Sequence, residues 1–93
     1  MATFKVLEEA YERDSSILYQ GKVEFEGQEV MYRYYEDNNG QESFVFVEGE
    51  GWVTEHPFLP VLNATVSEWG SPYEFGSVNE ECDIDDELVE DYM

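Results

Sequence analysis

The sequence predicts an α+β fold: an antiparallel sheet of three to four strands with an N-terminal helix, a helix at about 57–69 and an acidic C-terminal helix. Two observations lead to this prediction. Between residues 17 and 47, apolar and polar residues alternate in three runs separated by turn residues, as in antiparallel strands. The flanking segments instead place apolar residues three and four positions apart, as in amphipathic helices. At 93 residues the chain is expected to form a single domain over 1–93.

Residues 3–14 have the pattern of a short amphipathic helix. The apolar residues that recur at helical spacing are Phe4, Leu7, Ala10 and Tyr11. Thr3 precedes them and is a suitable N-cap, because its hydroxyl can accept a hydrogen bond from the first turn. The sequence therefore predicts a helix before the first strand.

Three consecutive strands are predicted next, over 17–25, 28–35 and 41–47. Gly27 separates the first two strands, and the EDNNG segment at 36–40 supplies residues that tolerate the positive φ of a tight hairpin turn. The FVFV centre of the third strand is apolar on both faces, which predicts that the strand is covered on both sides.

The chain then bends at the glycine-rich segment 48–51, and residues 52–53 are predicted to start a short fourth strand. Pro57 and Pro60 fit the first turn of a helix, where the missing proline N–H costs little. Gly70 is a natural C-terminal stop for that helix.

Residues 71–77 are predicted to form a loop, and the acidic segment 80–93 follows it. That segment holds eight carboxylates and no basic residue. Its apolar residues fall on one helical stripe: Ile84, Leu88, Val89 and Tyr92. Two interpretations stay open, a short docked helix with an acidic outer face and a disordered acidic tail.

The net charge excludes several classes of function. The chain has 23 Asp and Glu against 4 Lys and Arg, a formal net charge of −19. Direct DNA or RNA binding needs clustered positive charge, and an anionic membrane surface repels such a chain. No apolar run approaches the roughly 20 residues that span a bilayer, and the N-terminal residues do not form a signal peptide. We expect a soluble protein in the cytoplasm.

The sequence predicts no enzyme, no metal site and no cofactor. With one cysteine and one histidine, the usual Cys/His zinc site cannot be assembled. Acidic neighbours raise the pKa of Cys82 and suppress its thiolate. The DIDDELVED segment lacks the glycine of a calcium-binding EF-hand loop. Motifs for nucleotide binding or nucleophilic catalysis are absent as well.

The informative feature is that negative charge is distributed along the whole chain. Ordinary small domains carry a net charge of about 2–8, because self-repulsion destabilises the compact state. On a strand, Glu24 and Glu26 would lie roughly 6.5–7 Å apart on one face, the order of spacing between neighbouring DNA phosphates. The carboxylates predicted to imitate phosphates are Glu8, Glu12, Glu24, Glu26, Glu29, Glu80, Glu81, Asp83, Asp85, Asp86, Glu87, Glu90 and Asp91.

Three functional interpretations follow from this charge. The first is a DNA mimic that occupies the DNA-binding cleft of a basic protein and competes with duplex DNA. The second is an acidic interaction module that binds a basic partner away from its DNA site. The third is a merely soluble acidic protein whose carboxylates face water. We favour the first, because the charge exceeds what solubility requires.

The chain resembles the small acidic DNA-mimic inhibitors that phages use against host defence, and most of all the Arn-type anti-restriction proteins. The resemblance lies in length, charge, aromatic content, a single cysteine and the sheet-like segment YQGKVEFEGQEVMYRYYEDNNGQESFVFV, and in no signature motif. It implies a restriction enzyme of the McrBC type as target, inside the host cytoplasm. A CRISPR nuclease, a uracil-DNA glycosylase and a nucleoid protein are alternative targets.

The same resemblance implies a homodimer. The sequence supports one independently, since its aromatic residues exceed what one sheet face needs, and aromatic residues are enriched at interfaces. The residues concerned are Tyr32, Tyr34, Tyr35, Phe44, Phe46, Trp52 and Trp69.

Overall fold

The computed structural model describes residues 2–12, 17–69 and 78–92. Within them the chain forms a six-stranded antiparallel sheet of order β5-β4-β3-β2-β1-β6 and two short helices. The strands are β1 (Ala2–Glu12), β2 (Ile17–Phe25), β3 (Gln28–Asp37), β4 (Gly40–Val47), β5 (Gly51–Val53) and β6 (Glu81–Ile84). The helices are α1 (Phe58–Trp69) and α2 (Asp86–Glu90).

Tight turns join the central strands. Glu26 and Gly27 connect β2 to β3 with φ of 53° and 78°, the two positive values of a type I′ turn, whose twist matches that of the flanking strands. Between β3 and β4, the Asn39 N–H donates to Asp37 Oδ1 at 2.8 Å. These turns hold β2, β3 and β4 in continuous register.

One face of the sheet is covered by α1, and the core lies between them. Phe58, with no exposed surface, stands at its centre. Its ring centroid lies 5.6 Å from that of Phe4, 5.3 Å from that of Phe25 and 5.9 Å from that of Tyr32. The buried Thr65 hydroxyl is satisfied by donating to the Val61 carbonyl at 2.7 Å. The other face of the sheet, which we call the open face, has no helix packed on it among the described residues.

The predicted fold class is wrong. The strands predicted at 17–25, 28–35 and 41–47 correspond to β2, β3 and β4, and the helix predicted at about 57–69 corresponds to α1. The sheet, however, has six strands in the described residues instead of three to four. Both additional strands replace predicted helices at the ends of the chain.

The predicted N-terminal helix is strand β1, which pairs with β2 on one side and β6 on the other. Phe4 and Val6 alternate into the core as strand residues do. The register with β2 then shifts between Val6 and Glu8, and again between Glu8 and Tyr11. These irregularities break the two-residue alternation and leave apolar residues at apparent helical spacing. Residues 13–14 of the predicted helix lie outside the described residues.

The predicted C-terminal helix is also corrected. Residues Glu81–Ile84 form an edge strand because Cys82 and Ile84 alternate into the core beside β1, and only Asp86–Glu90 is helical. The predicted stop at Gly70 and the predicted loop at 71–77 lie outside the described residues.

The centre of β4 is not covered on both sides, as the FVFV pattern predicted. Val45 is buried under α1, whereas Phe46 is 41% exposed on the open face. Tyr32 and Tyr34, predicted to contribute to an interface, are buried in the core. Aromatic residues therefore occupy both faces of the sheet, but in the described parts of the chain only one face is packed.

Gly21 is required by the close approach of Tyr32 on the neighbouring strand. A Cβ at Gly21 would lie 2.7 Å from the Tyr32 hydroxyl oxygen, and Tyr32 is only 1% exposed. We expect Gly21→Ala to lower the free energy of unfolding by about 1–3 kcal/mol through overpacking. Urea unfolding measures this loss. In a Tyr32→Phe background the same substitution should cost less, and an equal cost in both backgrounds would contradict the steric explanation.

Candidate functional site

The open face brings several predicted carboxylates together. Glu29, Glu24, Lys5 and Glu81 occupy matched register positions on β3, β2, β1 and β6. Neighbouring strands lie roughly 4.8 Å apart, so these side chains form one row across the sheet. Lys22 Nζ lies 3.6 Å from Glu29 Oε1. Lysines therefore partly neutralise this row.

Glu26 does not continue the strand beyond Glu24. It lies in the turn with positive φ, so the predicted spacing of two carboxylates along one strand face does not hold. Instead, a shallow depression of about 170 Å³ lies at the β2–β3 turn. It is lined by Glu24, Glu26 and Glu81 together with Lys5. The carboxylates meet there through pairing of strands that are distant in the sequence.

A second group of carboxylates lies at the β6 edge of the sheet and surrounds an open depression of about 910 Å³. We call it the β6–α2 acidic surface. Its carboxylates are Glu68, Asp83, Asp85, Asp86, Glu87 and Asp91. All six are exposed, Ile84 and Leu88 contribute the apolar part of the lining, and no lysine or arginine of the described residues lines it. All charged residues among those that line it are anionic.

Local backbone chemistry explains part of this surface. The Asp85 carboxylate caps α2, with Oδ1 accepting from the Glu87 N–H at 3.0 Å. Asp86 and Glu87 occupy the first turn of the helix, where negative charge is favourable. Asp83 Oδ1 accepts from the Thr3 hydroxyl at 2.9 Å. These four carboxylates thus also contribute to folding.

Glu90 and Asp91 have no such explanation. They lie in the last turn and at the C-cap of α2, where the helix dipole disfavours negative charge, and no basic residue lies in that turn. Both are exposed. Capping and the helix dipole therefore do not account for these two carboxylates.

The remaining predicted residues are dispersed. Glu8 pairs in register with Lys22 on the open face. Glu80 precedes β6 and its carbonyl accepts from the Val6 N–H at 3.0 Å. Glu12 pairs in register with Tyr19, but its side chain lies outside the described residues. Glu68, which sequence reasoning did not select, joins the β6–α2 acidic surface only because α1 packs beside α2. No sequence pattern signals that contact.

Cys82 is buried beside β1, and burial together with Glu80 and Asp83 raises the pKa of its thiol to about 11. This confirms the predicted direction of the shift. Within the described residues, no group of three or more His, Cys, Asp or Glu side chains is arranged to hold a metal ion. None of the helices in these parts of the chain is long and apolar enough to cross a membrane.

His56 stabilises the start of α1 in its neutral form. Its Nδ1 accepts from the Phe58 N–H at 3.0 Å, and its carbonyl accepts from the Leu59 N–H at 3.0 Å. Burial lowers the pKa of His56, and the negative charge of Glu26 partly opposes that shift. Protonation of Nδ1 removes the acceptor, so the bond to Phe58 belongs to the neutral imidazole.

This arrangement predicts a pH dependence of stability. As pH falls, the unfolded chain takes up the proton first, at about pH 6.5, because the folded pKa of His56 is lower. The contribution of His56 is therefore complete above about pH 6.5 and is lost as pH falls through the folded pKa. His56→Asn supplies a non-titrating acceptor for the same N–H. Urea unfolding at pH values from 7 down to 5 should show that the wild type loses stability relative to H56N as the pH falls. Parallel curves of unfolding free energy against pH for the two proteins would contradict the assignment.

Comparison of the chain with protein-family models, with curated protein sequences and with solved structures gave no match. No family assignment follows from these comparisons. The resemblance to acidic DNA-mimic inhibitors therefore stays a prediction from the sequence.

Proposed function

We propose that this protein is a DNA-mimic inhibitor that occupies the DNA-binding cleft of a basic DNA-binding protein. A restriction endonuclease of the McrBC type is the first target class to test. The observation that carries the proposal is the β6–α2 acidic surface, where six exposed carboxylates surround one depression without a neutralising lysine or arginine among the described residues.

The energetics support a role in binding. A net charge of −19 is well beyond the magnitude of about 2–8 that keeps a small domain soluble, and self-repulsion opposes folding. Glu90 and Asp91 add a further local cost at the C-terminal end of α2. A cationic cleft in a partner would offset both costs, because it supplies the positive charge that this chain lacks.

In length, the molecule corresponds to a short duplex segment. The molecule extends 31 × 31 × 26 Å, and its longest dimension corresponds to about nine base-pair steps at about 3.4 Å each. Exposed carboxylates also continue from the β6–α2 acidic surface onto the open face through Asp83 and Glu81 of β6. Such a field steers association with a basic cleft and weakens steeply with salt.

The proposal is tested by capture from a bacterial lysate on the immobilised full chain, followed by two parallel elutions. One elution uses short duplex DNA and the other uses plain salt at the same ionic strength. We expect duplex to release specific DNA-binding proteins that the matched salt leaves bound. Release of the same basic proteins by both would show ion exchange alone. A partner that duplex cannot displace would instead favour the acidic interaction module.

A further inference from the structure

Strand β6 forms one border of the sheet. It pairs with β1 on its inner side, and no strand of the described residues pairs with its outer side. An unpaired edge presents a row of backbone N–H and C=O groups, to which a strand of another chain can add. We call the outer side of Glu81–Ile84 the β6 edge.

Backbone hydrogen bonds show which residues of β6 face β1. The Val6 N–H donates to the Glu80 carbonyl at 3.0 Å, and the Asn79 N–H donates to the Val6 carbonyl at 2.7 Å. Along an antiparallel pair, residues that exchange hydrogen bonds alternate with residues that do not. Two positions further along β1, Phe4 and Cys82 are therefore a hydrogen-bonded pair.

Glu81 and Asp83 occupy the alternate positions, so their backbone N–H and C=O groups point away from β1. Within the parts of the chain that the structure describes, no other backbone group bonds to them. Each residue presents one donor and one acceptor, and such groups bond either to water or to another strand. The β6 edge is therefore a template for a short added strand.

The side chains of the same two residues select the occupant. Glu81 and Asp83 are exposed and point to the open face, because Cys82 and Ile84 alternate into the core. Residues directly opposite each other on paired strands interact through their side chains, so opposite charges stabilise the pairing and like charges destabilise it. A basic strand is favoured at this edge, whereas a second β6 edge would place carboxylates against carboxylates.

The surroundings of the edge keep this preference. On β1, Lys5 lies opposite Glu81, whereas the uncharged Thr3 lies opposite Asp83, so one lysine faces two carboxylates. The β6–α2 acidic surface continues from the end of β6 and adds further carboxylates without a lysine or arginine among the described residues that line it. The charge next to the edge is thus net negative.

We propose that the β6 edge binds an extended basic segment of a partner protein, which adds to the sheet as a further antiparallel strand beside β6. Lysine or arginine at every second position lies opposite Glu81 and Asp83. The residues between them point to the other face of the sheet, where Ile84 and Leu88 contribute the apolar lining of the neighbouring depression. Apolar side chains suit those positions.

This inference goes beyond the proposed function. Imitation of DNA requires the carboxylates alone, whereas strand addition also requires the backbone of β6. A chain that displaces duplex DNA from a target can fail to bind a basic strand, and a chain that binds the strand can fail to displace duplex. Separate experiments therefore test the two proposals.

A synthetic peptide of sequence Lys-Val-Lys-Val-Lys-Val, blocked at both ends, is titrated against the full chain at about 0.15 M salt. We expect saturable binding. Methylation of the lysine backbone nitrogens removes the donors that face Glu81 and Asp83, and should weaken binding by about tenfold or more. Methylation of the valine backbone nitrogens is the matched control, because it keeps the charge and the number of methyl groups but alters nitrogens that face away from β6.

The valine-methylated peptide should bind like the unmodified one. Equal affinity of the two methylated peptides would overturn the proposal, since charge alone would then account for binding. Failure of the unmodified peptide to bind would overturn it as well.

Amide hydrogen exchange of the full chain locates the added strand. At saturating peptide, exchange of the Glu81 and Asp83 N–H groups should slow by about tenfold or more, because these groups become hydrogen-bonded. Exchange of the Cys82 N–H should change much less, since that group already bonds to β1. Protection that does not alternate along β6 would contradict strand addition.

A charge variant tests the choice of a basic occupant. Glu81→Gln combined with Asp83→Asn should raise the dissociation constant of the peptide about two- to thirtyfold, the effect of losing two exposed ion pairs. Asparagine keeps the oxygen that accepts from the Thr3 hydroxyl. The control combines Glu36→Gln with Glu42→Gln, two exposed carboxylates of β3 and β4. Equal circular dichroism shows that both variants fold, and equal weakening of binding by both would overturn the assignment to the β6 edge.

Discussion

Replacement of Phe58 with alanine is expected to lower the free energy of unfolding by about 3–5 kcal/mol, the range for truncating a buried phenylalanine. Phe58 has no exposed surface and contacts the rings of Phe4, Phe25 and Tyr32, which come from three strands. Small domains have a total stability of about 5–15 kcal/mol, so this variant loses a large fraction of it. Phe58 holds α1 on the sheet together with other buried residues of the helix, among them Val61 and Leu62.

Urea unfolding followed by far-ultraviolet circular dichroism measures the loss. Phe58→Leu is the matched control, because it keeps most of the apolar volume and should cost less than F58A. Phe44→Ala removes an aromatic ring from the open face and should also cost less, since Phe44 is only half-buried. Equal losses for F58A and F44A would show that the core is not centred on Phe58.

Neutralising four carboxylates of α2 and its C-cap is expected to weaken partner binding by about 1–4 kcal/mol, given about 0.2–1 kcal/mol per exposed ion pair. The variant combines Asp86→Asn, Glu87→Gln, Glu90→Gln and Asp91→Asn. Asp85 is left unchanged because its carboxylate caps the helix. Affinity for a protein that duplex DNA elutes from the immobilised chain is measured across a salt series. The dependence of that affinity on salt should become less steep, because fewer charges contribute.

A variant of equal net charge is the control. It combines Glu36→Gln, Glu48→Gln, Glu50→Gln and Glu55→Gln, which are exposed carboxylates outside the β6–α2 acidic surface. Because both variants lose four negative charges, a general effect of net charge would weaken both equally. We expect the control to retain most of the affinity. Equal weakening would show that binding depends on total charge and not on this surface.

The central part of the fold was predictable because its signals are local. Apolar and polar residues alternate in β2 and β3, and turn residues lie around Gly27 and Asn39. Each of the two hairpins is therefore specified within a few residues. Proline near the start of α1 was likewise a local signal, because it marks the first turn of a helix. Such features are present in short segments and need no knowledge of distant contacts.

The prediction was wrong at the ends of the chain because their structure depends on long-range strand pairing. In β1, register shifts near Glu8 disguise the strand alternation. In β6, only Cys82 and Ile84 reach the core. Two apolar residues are too few to give a recognisable strand pattern in a segment, 80–93, that holds eight carboxylates. The two strands stabilise each other, and neither is specified by its own sequence.

The candidate site was predictable in composition and not in geometry. The carboxylate-rich composition of the C-terminal segment is visible in the sequence, but its division into β6 and α2 depends on pairing with β1 and was not predictable. Glu68 joins the cluster only through helix packing, and Glu26 leaves its predicted row because it occupies a turn. The aromatic residues could not be assigned to the core or to the open face, because the FVFV pattern is apolar in both registers.

The most direct test of the central claim is a competition between this chain and duplex DNA for one purified target. A labelled duplex is bound to a protein captured as described, and the chain is added at constant ionic strength. The proposal predicts that the chain displaces the labelled duplex completely. The chain concentration at which half of the labelled duplex is displaced should rise in proportion to the unlabelled duplex added. A ternary complex, in which target, chain and duplex migrate together, would contradict it.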